Sequence, residues 1–240
     1  MEIKLYIILL IYFIIGGIVM FFVNRNKEVA FRKNNWLKYF VYLILINLLF
    51  VSILVDSIYF SYISVIIIIL GLFEISRLFY ISKKYKVGII ALFIFLCFAF
   101  LYYQFSYMPK KYLFYTLFLT TVFDSFSQLA GQLLGRKKIF FKISPNKTYA
   151  GLFGGLIFAV ITSIIIHNQL SISVFQSIFL GVGLSGFALI GDLLASYCKR
   201  KFNIKDFSKI IPGHGGVLDR FDSLLSTGSF MFLIVNFIGI

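Results

Sequence analysis

The sequence predicts an all-α integral membrane protein, a polytopic bundle of about eight transmembrane helices. Of the 240 residues, 60% are hydrophobic and only 13% are charged, and this charged fraction is about half of that in a typical soluble domain. Apolar runs of about 20 residues, long enough to cross a hydrocarbon core of about 30 Å, follow one another with short polar breaks. A soluble core would need polar faces between its apolar stripes, so these runs exclude a soluble globular protein.

Each apolar run is interpreted as a helix, because a helix satisfies its own backbone polar groups inside a bilayer. The first run could be mistaken for a signal peptide, but it has no small-residue cleavage site and is as long as a span. It is therefore interpreted as a retained helix. The eight predicted spans are approximately residues 4–23, 39–56, 58–80, 87–107, 112–134, 148–168, 172–197 and 221–240.

The basic residues are distributed unevenly between the predicted loops. The formal net charge is +14, and all 23 lysines and arginines except Lys4, Lys110 and Lys111 fall in or beside odd-numbered loops. Cytoplasmic loops of membrane proteins carry an excess of Lys and Arg, and the inner leaflet is anionic. We therefore expect the odd-numbered loops to face the cytoplasm and both termini to lie outside. This distribution explains the net charge without a nucleic acid partner, and the absence of a targeting segment suits a bacterial plasma membrane.

The two halves of the chain differ in how much they indicate about function. Residues 1–111 hold the first four spans, whose sequences indicate membrane helices and no particular function. Residues 112–240 hold the last four spans and two long loops, at 135–147 and 198–220, whose polar residues exceed what a connector needs. We therefore expect the C-terminal half to be the catalytic membrane region.

The acidic residues give the first indication of chemistry. Placing a carboxylate in the middle of a transmembrane helix raises the free energy of membrane insertion by about 2.5–3.5 kcal/mol, so each one needs a partner or a function. Glu74 is expected to pair with Arg77, three residues later on the same helix face. Asp192, Asp219 and Asp222 have no such obvious partners and gather near one membrane face. Carboxylates beside lysines and arginines are what a Mg²⁺-nucleotide site requires, since carboxylates hold the metal and cations hold the phosphates.

Two polar loop segments accompany these carboxylates. Residues 212–216 read Pro-Gly-His-Gly-Gly, and such glycines let backbone N–H groups approach an anion closely. Residues 142–148 form the entrance of the sixth span, where Pro145 breaks any helix. There Lys147 offers a point charge for a phosphate, and the Thr148 hydroxyl is expected to cap the next helix.

The C-terminal half also resembles a known family. Residues 196–222, SYCKRKFNIKDFSKIIPGHGGVLDRFD, are similar to the signature of phosphatidate cytidylyltransferases, also called CDP-diacylglycerol synthases. The matching positions are Ser196, Lys199, Arg200, Lys205, Asp206, His214, Gly215, Gly216, Asp219, Arg220 and Asp222. A second block upstream is similar at Asp124, Gly131, Gly135, Ser144, Pro145, Lys147, Thr148 and Gly151. The chain departs from the family pattern at Ala195, where a Glu is usual, and at Ala150, where a Glu or Gln is common.

The resemblance implies that a lipid phosphate oxygen attacks the α-phosphorus of CTP, giving CDP-diacylglycerol and pyrophosphate. It implies that Asp192, Asp219 and Asp222 bind Mg²⁺, with a second metal ion or K⁺ left open, and that Lys205 joins them as a catalytic residue. The implied substrate-binding residues are Asp124, Ser144, Lys147, Thr148, Ser196, Lys199, Arg200, Asp206, His214, Gly215, Gly216 and Arg220.

The expected partners are CTP, phosphatidate or a similar lipid phosphate, and the lipid bilayer, while a homodimer is left open. Two alternatives remain at this point. One is a related CTP-dependent kinase of a polyprenol or isoprenoid alcohol. The other is a transporter or a non-catalytic membrane paralogue that uses the same charges to bind an anion.

Overall fold

The computed structural model describes residues 2–25, 28–82 and 84–239, and it is almost entirely helical. Two basic residues counted in the odd-numbered loops, Lys27 and Lys83, lie outside the described residues. The helices are α1 (Glu2–Asn24), α2 (Val29–Val55), α3 (Ser57–Ser82), α4 (Tyr85–Ser106), α5 (Lys110–Leu134), α6 (Tyr149–Ile165), α7 (Val174–Phe202) and α8 (Leu218–Ile238). The predicted all-α bundle is confirmed.

One small sheet was not predicted. Strands β1 (Lys138–Phe140) and β2 (Ser144–Thr148) form an antiparallel hairpin between α5 and α6. The sequence predicts a loop for this segment, because it holds too few alternating apolar residues to indicate strands. The hairpin matters for the site because it carries Lys147.

Among the described residues, six helices are long and apolar enough to cross a membrane, namely α1 to α4, α7 and α8. Their outer surfaces carry large exposed apolar side chains, such as Ile66, Phe93 and Phe100. Apolar surface of this extent is not stable in water. The chain is therefore an integral membrane protein.

Helix α5 is more polar than the outer helices because it lies inside the bundle. Its residues from Tyr112 to Phe123 are all buried, and it packs against α2, α6, α7 and α8. With protein on all sides, its polar side chains find partners on other helices, as when Thr120 Oγ1 donates to Thr227 Oγ1 at 2.9 Å. The fifth predicted span is thus a helix that is stabilised by the protein rather than by lipid alone.

The third, fifth and seventh connections meet at one end of the bundle. Lys84 Nζ, between α3 and α4, donates to the Lys201 carbonyl at 2.7 Å, and Arg200 Nε donates to the Ile143 carbonyl of the hairpin at 3.3 Å. At the opposite end Lys110 Nζ donates to the Val55 carbonyl at 3.3 Å. These contacts agree with the predicted alternation of loops, and we call the first end the basic end.

Two helices extend further toward the basic end than the predicted spans did. Helix α2 begins at Val29 rather than near residue 39, and α7 continues to Phe202 rather than ending near 197. The spans were delimited by apolarity, whereas the helices continue into the polar segments. Lys199, Arg200 and Lys201 form the last turn of α7, where cations favour the negative end of the helix dipole. The connection between α7 and α8 is therefore residues 203–217, and we call it the α7–α8 loop.

Candidate active site

Three helices bring carboxylates together near the basic end. Asp124 of α5, Asp192 of α7 and Asp222 of α8 lie close enough for their charges to interact, and we call them the acidic cluster. The charges of Lys147 and Arg220 also reach this cluster. Carboxylates and cations are thus interleaved, as the sequence had predicted for a nucleotide site, although Asp124 was expected only as a substrate-binding residue.

Helices α7 and α8 approach closely beside this cluster because α7 has a glycine at the contact. A Cβ at Gly191 would lie 2.4 Å from the Asp222 carbonyl oxygen and 2.8 Å from the Ser226 Cβ. Neither atom can move without displacing α8. Any larger residue at 191 would therefore separate Asp192 from Asp222.

Lys147 is held against Asp192 by the hairpin. Its Nζ lies 2.6 Å from Asp192 Oδ2, and Ser196 Oγ donates to Asp192 Oδ1 at 3.2 Å. Both side chains of the ion pair are partly exposed, at 22% for Lys147 and 37% for Asp192. The predicted residues Lys147, Asp192 and Ser196 therefore do lie together, at a position that solvent can reach.

Thr148 caps α6, as predicted. Its Oγ1 accepts a hydrogen bond from the Gly151 N–H at 3.2 Å. A Cβ at Gly135 would lie 2.7 Å from this oxygen, and a Cβ at Gly151 would lie 2.7 Å from the Ser127 carbonyl oxygen of α5. These glycines of the upstream block therefore allow close packing of α5 and α6. A substrate contact by Thr148 stays a prediction.

Asp219 has a different environment from the one expected. It is buried, Oδ1 lies 2.6 Å from Lys199 Nζ, and Oδ2 accepts hydrogen bonds from the Phe207 and Gly216 N–H groups at 2.8 Å each. Both oxygens are therefore used inside the protein. Asp219 and Asp222 share a helix face by spacing, but the Asp219 carboxylate turns back toward the α7–α8 loop.

The carboxylates of Asp192, Asp219 and Asp222 therefore do not converge on one point as expected, because that of Asp219 is directed toward the loop. Within residues 2–25, 28–82 and 84–239, no three His, Cys, Asp or Glu side chains make a ready-made metal site. The physical reason is that the α7–α8 loop offers two backbone donors to Asp219, and the last turn of α7 offers Lys199. Metal binding itself stays a prediction.

The glycines of the α7–α8 loop serve the protein's own carboxylates. Gly213 and Gly215 have positive φ values of 74° and 90°, which favour glycine. A Cβ at Gly215 would lie 2.9 Å from Asp219 Oδ2, and a Cβ at Gly216 would lie 2.6 Å from Glu74 Oε1. The predicted close approach of an anion to this backbone is thus present, but the anions are Asp219 and Glu74. Contact of Gly215 and Gly216 with substrate stays a prediction.

Glu74 does not pair with Arg77. Its carboxylate is fully buried and accepts hydrogen bonds from Ser208 Oγ, the Val217 N–H and the Leu218 N–H, whereas Arg77 is exposed. Glu74 therefore has structural partners, as expected, but Arg77 is not one of them. Arg77 is the nearest opposite charge along the sequence, whereas the observed donors come from a distant segment.

His214 is half-buried in the same loop. Its Nδ1 is buried without a hydrogen-bond partner among the described residues. Burial, and then the nearby charge of Arg220, lower the pKa of His214 below its usual 6.5. The imidazole is therefore neutral at pH 7 and suits the predicted role of a hydrogen-bonding or loop-organising group.

The remaining predicted residues are exposed or half-buried in the hairpin, the last turn of α7, the α7–α8 loop and the start of α8. Arg220 is exposed at the start of α8, and Arg200 is exposed and binds the hairpin carbonyl of Ile143. Ser144 is half-buried in β2, while Lys205 and Asp206 are exposed in the α7–α8 loop. For Ser144, Lys205 and Asp206 a role in substrate binding or catalysis stays a prediction.

A cavity of about 290 Å³ lies beside the acidic cluster, between α3, α4, α7 and α8. Its walls are mainly aliphatic and aromatic, and the charged residues among them are Lys201 and Asp222. Ala195, which stands where the family usually has Glu, is part of the wall. Asp222 therefore lies both in the cavity and in the acidic cluster.

The sequence reading missed two features of the site. No local signal indicated the cavity, because its lining residues are ordinary apolar residues from four helices. Tyr42 of α2 was also missed, and its hydroxyl lies near Ser125 and Asp124. A tyrosine inside an apolar run carries no signal of this kind, since only the packing of α2 against α5 brings it there.

Comparisons with known proteins match the half of the chain that carries these residues. The model of the cytidylyltransferase family matches residues 110–238, which span α5 to α8. A phosphatidate cytidylyltransferase of Bacillus subtilis (strain 168) is 38% identical over 126 residues, 52% of this chain and 47% of that protein. A phosphatidate cytidylyltransferase of Rickettsia bellii (strain RML369-C) is 43% identical over 119 residues, 46% of this chain and 52% of that protein.

The uncharacterized protein YnbB of Escherichia coli (strain K12) is 40% identical over 126 residues, 51% of this chain and 42% of that protein. The match thus spans about half the length of these relatives. It includes every helix that supplies the acidic cluster. The family model covers more than half of the chain. The protein therefore belongs to the cytidylyltransferase family, as the resemblance of residues 196–222 predicts.

Proposed function

We propose that this protein transfers the cytidylyl group of CTP to phosphatidate or a close lipid phosphate, giving CDP-diacylglycerol and pyrophosphate. The observation that carries this proposal is the position of Asp222, which belongs to both the apolar cavity and the acidic cluster. A lipid tail and a nucleotide can therefore approach the same point from different directions. The relatives named phosphatidate cytidylyltransferase support this substrate pair.

The nucleotide side of the site consists of cations placed among carboxylates. Lys147 and Arg220 would neutralise and orient the phosphates of CTP, because phosphoryl transfer depends mainly on positioning and charge stabilisation. The Lys147 ammonium is paired with Asp192 in the structure. A triphosphate bound beside the acidic cluster would therefore lie within reach of this cation.

The carboxylates present fit Mg²⁺ when a nucleotide supplies the remaining ligands. Magnesium is usually held by one or two carboxylates together with substrate phosphates, so a third protein carboxylate is unnecessary. Asp192 and Asp222 are the candidates. Asp192 is partly exposed, and Asp222 Oδ1 accepts from the Ser223 N–H at 2.8 Å while its other oxygen has no hydrogen bond among the described residues. Asp219 does not fit because its buried carboxylate is bound to Lys199 and to two backbone N–H groups of the loop. When bound, the ion would neutralise charge on the phosphates.

The lipid side is the apolar cavity. An acyl chain would lie against α3, α4, α7 and α8, with the lipid phosphate near Asp222 and Lys201. A phosphate oxygen of the lipid forms the new bond to the α-phosphorus of CTP, and the bond to the β-phosphate breaks to release pyrophosphate. No general base is needed, because a phosphomonoester is largely dianionic at neutral pH.

We place the basic end at the cytoplasmic face of a bacterial plasma membrane, with both termini on the other side. The excess of Lys and Arg at this end supports that orientation. Water-soluble CTP would then arrive from the cytoplasm and the lipid from the bilayer. We also assign the chemistry to residues 112–240, with residues 1–111 as the preceding membrane helices.

The test uses the purified full chain in nanodiscs with phosphatidate, Mg²⁺ and CTP labelled at either the α- or the γ-phosphate. Transfer of the α-label into lipid supports the proposal. Transfer of the γ-label into a polyprenol or isoprenoid alcohol would instead identify a CTP-dependent lipid kinase. Without Mg²⁺-dependent transfer to any lipid, the protein is a transporter or a non-catalytic member of its family.

A further inference from the structure

The carboxylate of Glu74 lies where α3 meets the start of α8. It is fully buried. Its Oε1 accepts hydrogen bonds from Ser208 Oγ at 2.6 Å and from the Val217 N–H at 2.8 Å, and its Oε2 accepts from the Leu218 N–H at 2.9 Å. Both oxygens are thus bound to the α7–α8 loop and to the first residue of α8.

Glu74, a residue of α3, caps the N-terminus of α8. The first N–H groups of a helix have no partner within the helix, and the N-terminus favours negative charge. The N-cap residue of α8 is Val217, whose side chain cannot accept a hydrogen bond. Glu74 supplies the missing acceptor. Gly216 is needed for this approach, because a Cβ there would lie 2.6 Å from Glu74 Oε1.

Glu74 also joins two separate parts of the loop. Ser208 lies in the first half of the α7–α8 loop, and Val217 is its last residue. Asp219 binds the same segment from the other side, through the Phe207 and Gly216 N–H groups. Asp222 lies one helical turn after Leu218, so the direction of its side chain depends on how the first turn of α8 is held.

We propose that Glu74 is a positioning residue, which fixes the α7–α8 loop and the first turn of α8 and so holds Asp222 in the acidic cluster. Glu74 lies outside residues 110–238, the part that the family model matches. The N-terminal helices therefore supply a functional group as well as membrane spans. The catalytic consequence rests on the proposed function, whereas the effect on the loop does not.

The structural arm of the test is trypsin cleavage of the folded protein at the exposed Lys205 and Lys209 of the loop. Glu74→Gln keeps the size of the side chain but places an amide NH₂ toward protein donors. We expect cleavage in the loop to accelerate roughly tenfold or more, because proteolysis follows the population of locally open states. The matched control is Ser64→Ala, which removes a fully buried hydrogen-bonding group of the same helix, next to Tyr102.

The catalytic arm measures kcat and KM in the α-label transfer assay together with the melting temperature. A positioning role predicts that Glu74→Gln lowers kcat roughly tenfold or more while KM for CTP changes less than about threefold. A merely structural role would lower the melting temperature of Glu74→Gln and Ser64→Ala alike and leave the kcat of the folded protein unchanged.

Unchanged loop cleavage in Glu74→Gln would overturn the proposal, and faster cleavage with unchanged kcat would overturn its catalytic part. If Glu74→Gln does not fold, Ser208→Ala removes one donor to Glu74 together with the acceptor of the Ile210 N–H. Cleavage must then accelerate at Lys205 as well as at Lys209, or the proposal fails. If the unmodified protein transfers no cytidylyl group, the proposed function fails by itself, and the cleavage arm still decides whether Glu74 holds the loop.

Discussion

The ammonium of Lys147 lies 2.6 Å from the carboxylate of Asp192 and so joins the β-hairpin to α7. This ion pair places a cation beside the acidic cluster. We expect Lys147→Met to lower kcat/KM for CTP about a hundredfold, because an interaction with developing phosphate charge is lost. Lys147→Arg should recover part of the activity. The exposed Lys142 of the hairpin turn gives the control Lys142→Met, and an equal loss there would show that the general charge of the hairpin matters rather than Lys147.

Asp222 and Asp219 should respond differently to the same change. Asp222→Asn is expected to abolish transfer and to raise the Mg²⁺ concentration needed for half-maximal rate, with little change in melting temperature. Asp219→Asn breaks a buried ion pair with Lys199, which costs about 3–5 kcal/mol of folding stability, so its melting temperature should fall. Rates titrated with Mg²⁺ after chelation by EDTA, and thermal unfolding in detergent, measure both effects. Equal melting temperatures would contradict the structural assignment of Asp219.

Filling the cavity should discriminate between lipids. Ala195→Phe places a ring in the cavity wall, and displacing two or three methylene groups of an acyl chain costs about 2 kcal/mol, or roughly thirtyfold in kcat/KM. The loss should be larger for long-chain than for short-chain phosphatidate, with KM for CTP unchanged. Gly186→Ala is the control on the same helix, because a Cβ there has nothing within 4 Å. Equal losses for both lipids would place the acyl chain elsewhere.

His214 should make the protein less stable in mild acid. Its folded pKa lies below 6.5, mainly because of burial, so the unfolded chain takes up the proton first as the pH falls. The neutral side chain costs no stability above the unfolded pKa, and stability decreases as the pH falls from 6.5 through the folded pKa. We expect His214→Gln to lose less melting temperature than the unmodified protein between pH 7 and pH 5. His167→Gln, at the other histidine, should keep the steeper decrease, and an identical decrease in His214→Gln would contradict the assignment.

The structure corrects the sequence analysis where partners come from far away in the chain. The sequence predicts that Glu74 needs a partner and indicates Arg77, which is close to it along the chain. The Val217 N–H that it binds is 143 positions away. Similarly, the spacing of Asp219 and Asp222 indicated a shared helix face, but it could not show that Phe207 and Gly216 would offer their N–H groups to Asp219.

In the amino-acid sequence, local apolarity, local charge and a continuous motif were enough to predict the membrane class, the approximate positions of the helices, the segregation of the basic residues and the family. The packing of helices and loops was needed to show that Asp124 joins Asp192 and Asp222, that Asp219 and Glu74 organise the α7–α8 loop, and that a cavity reaches Asp222. The physical reason is that hydrophobicity acts on each segment separately. The direction of a buried carboxylate instead depends on the donors that other helices and loops bring to it.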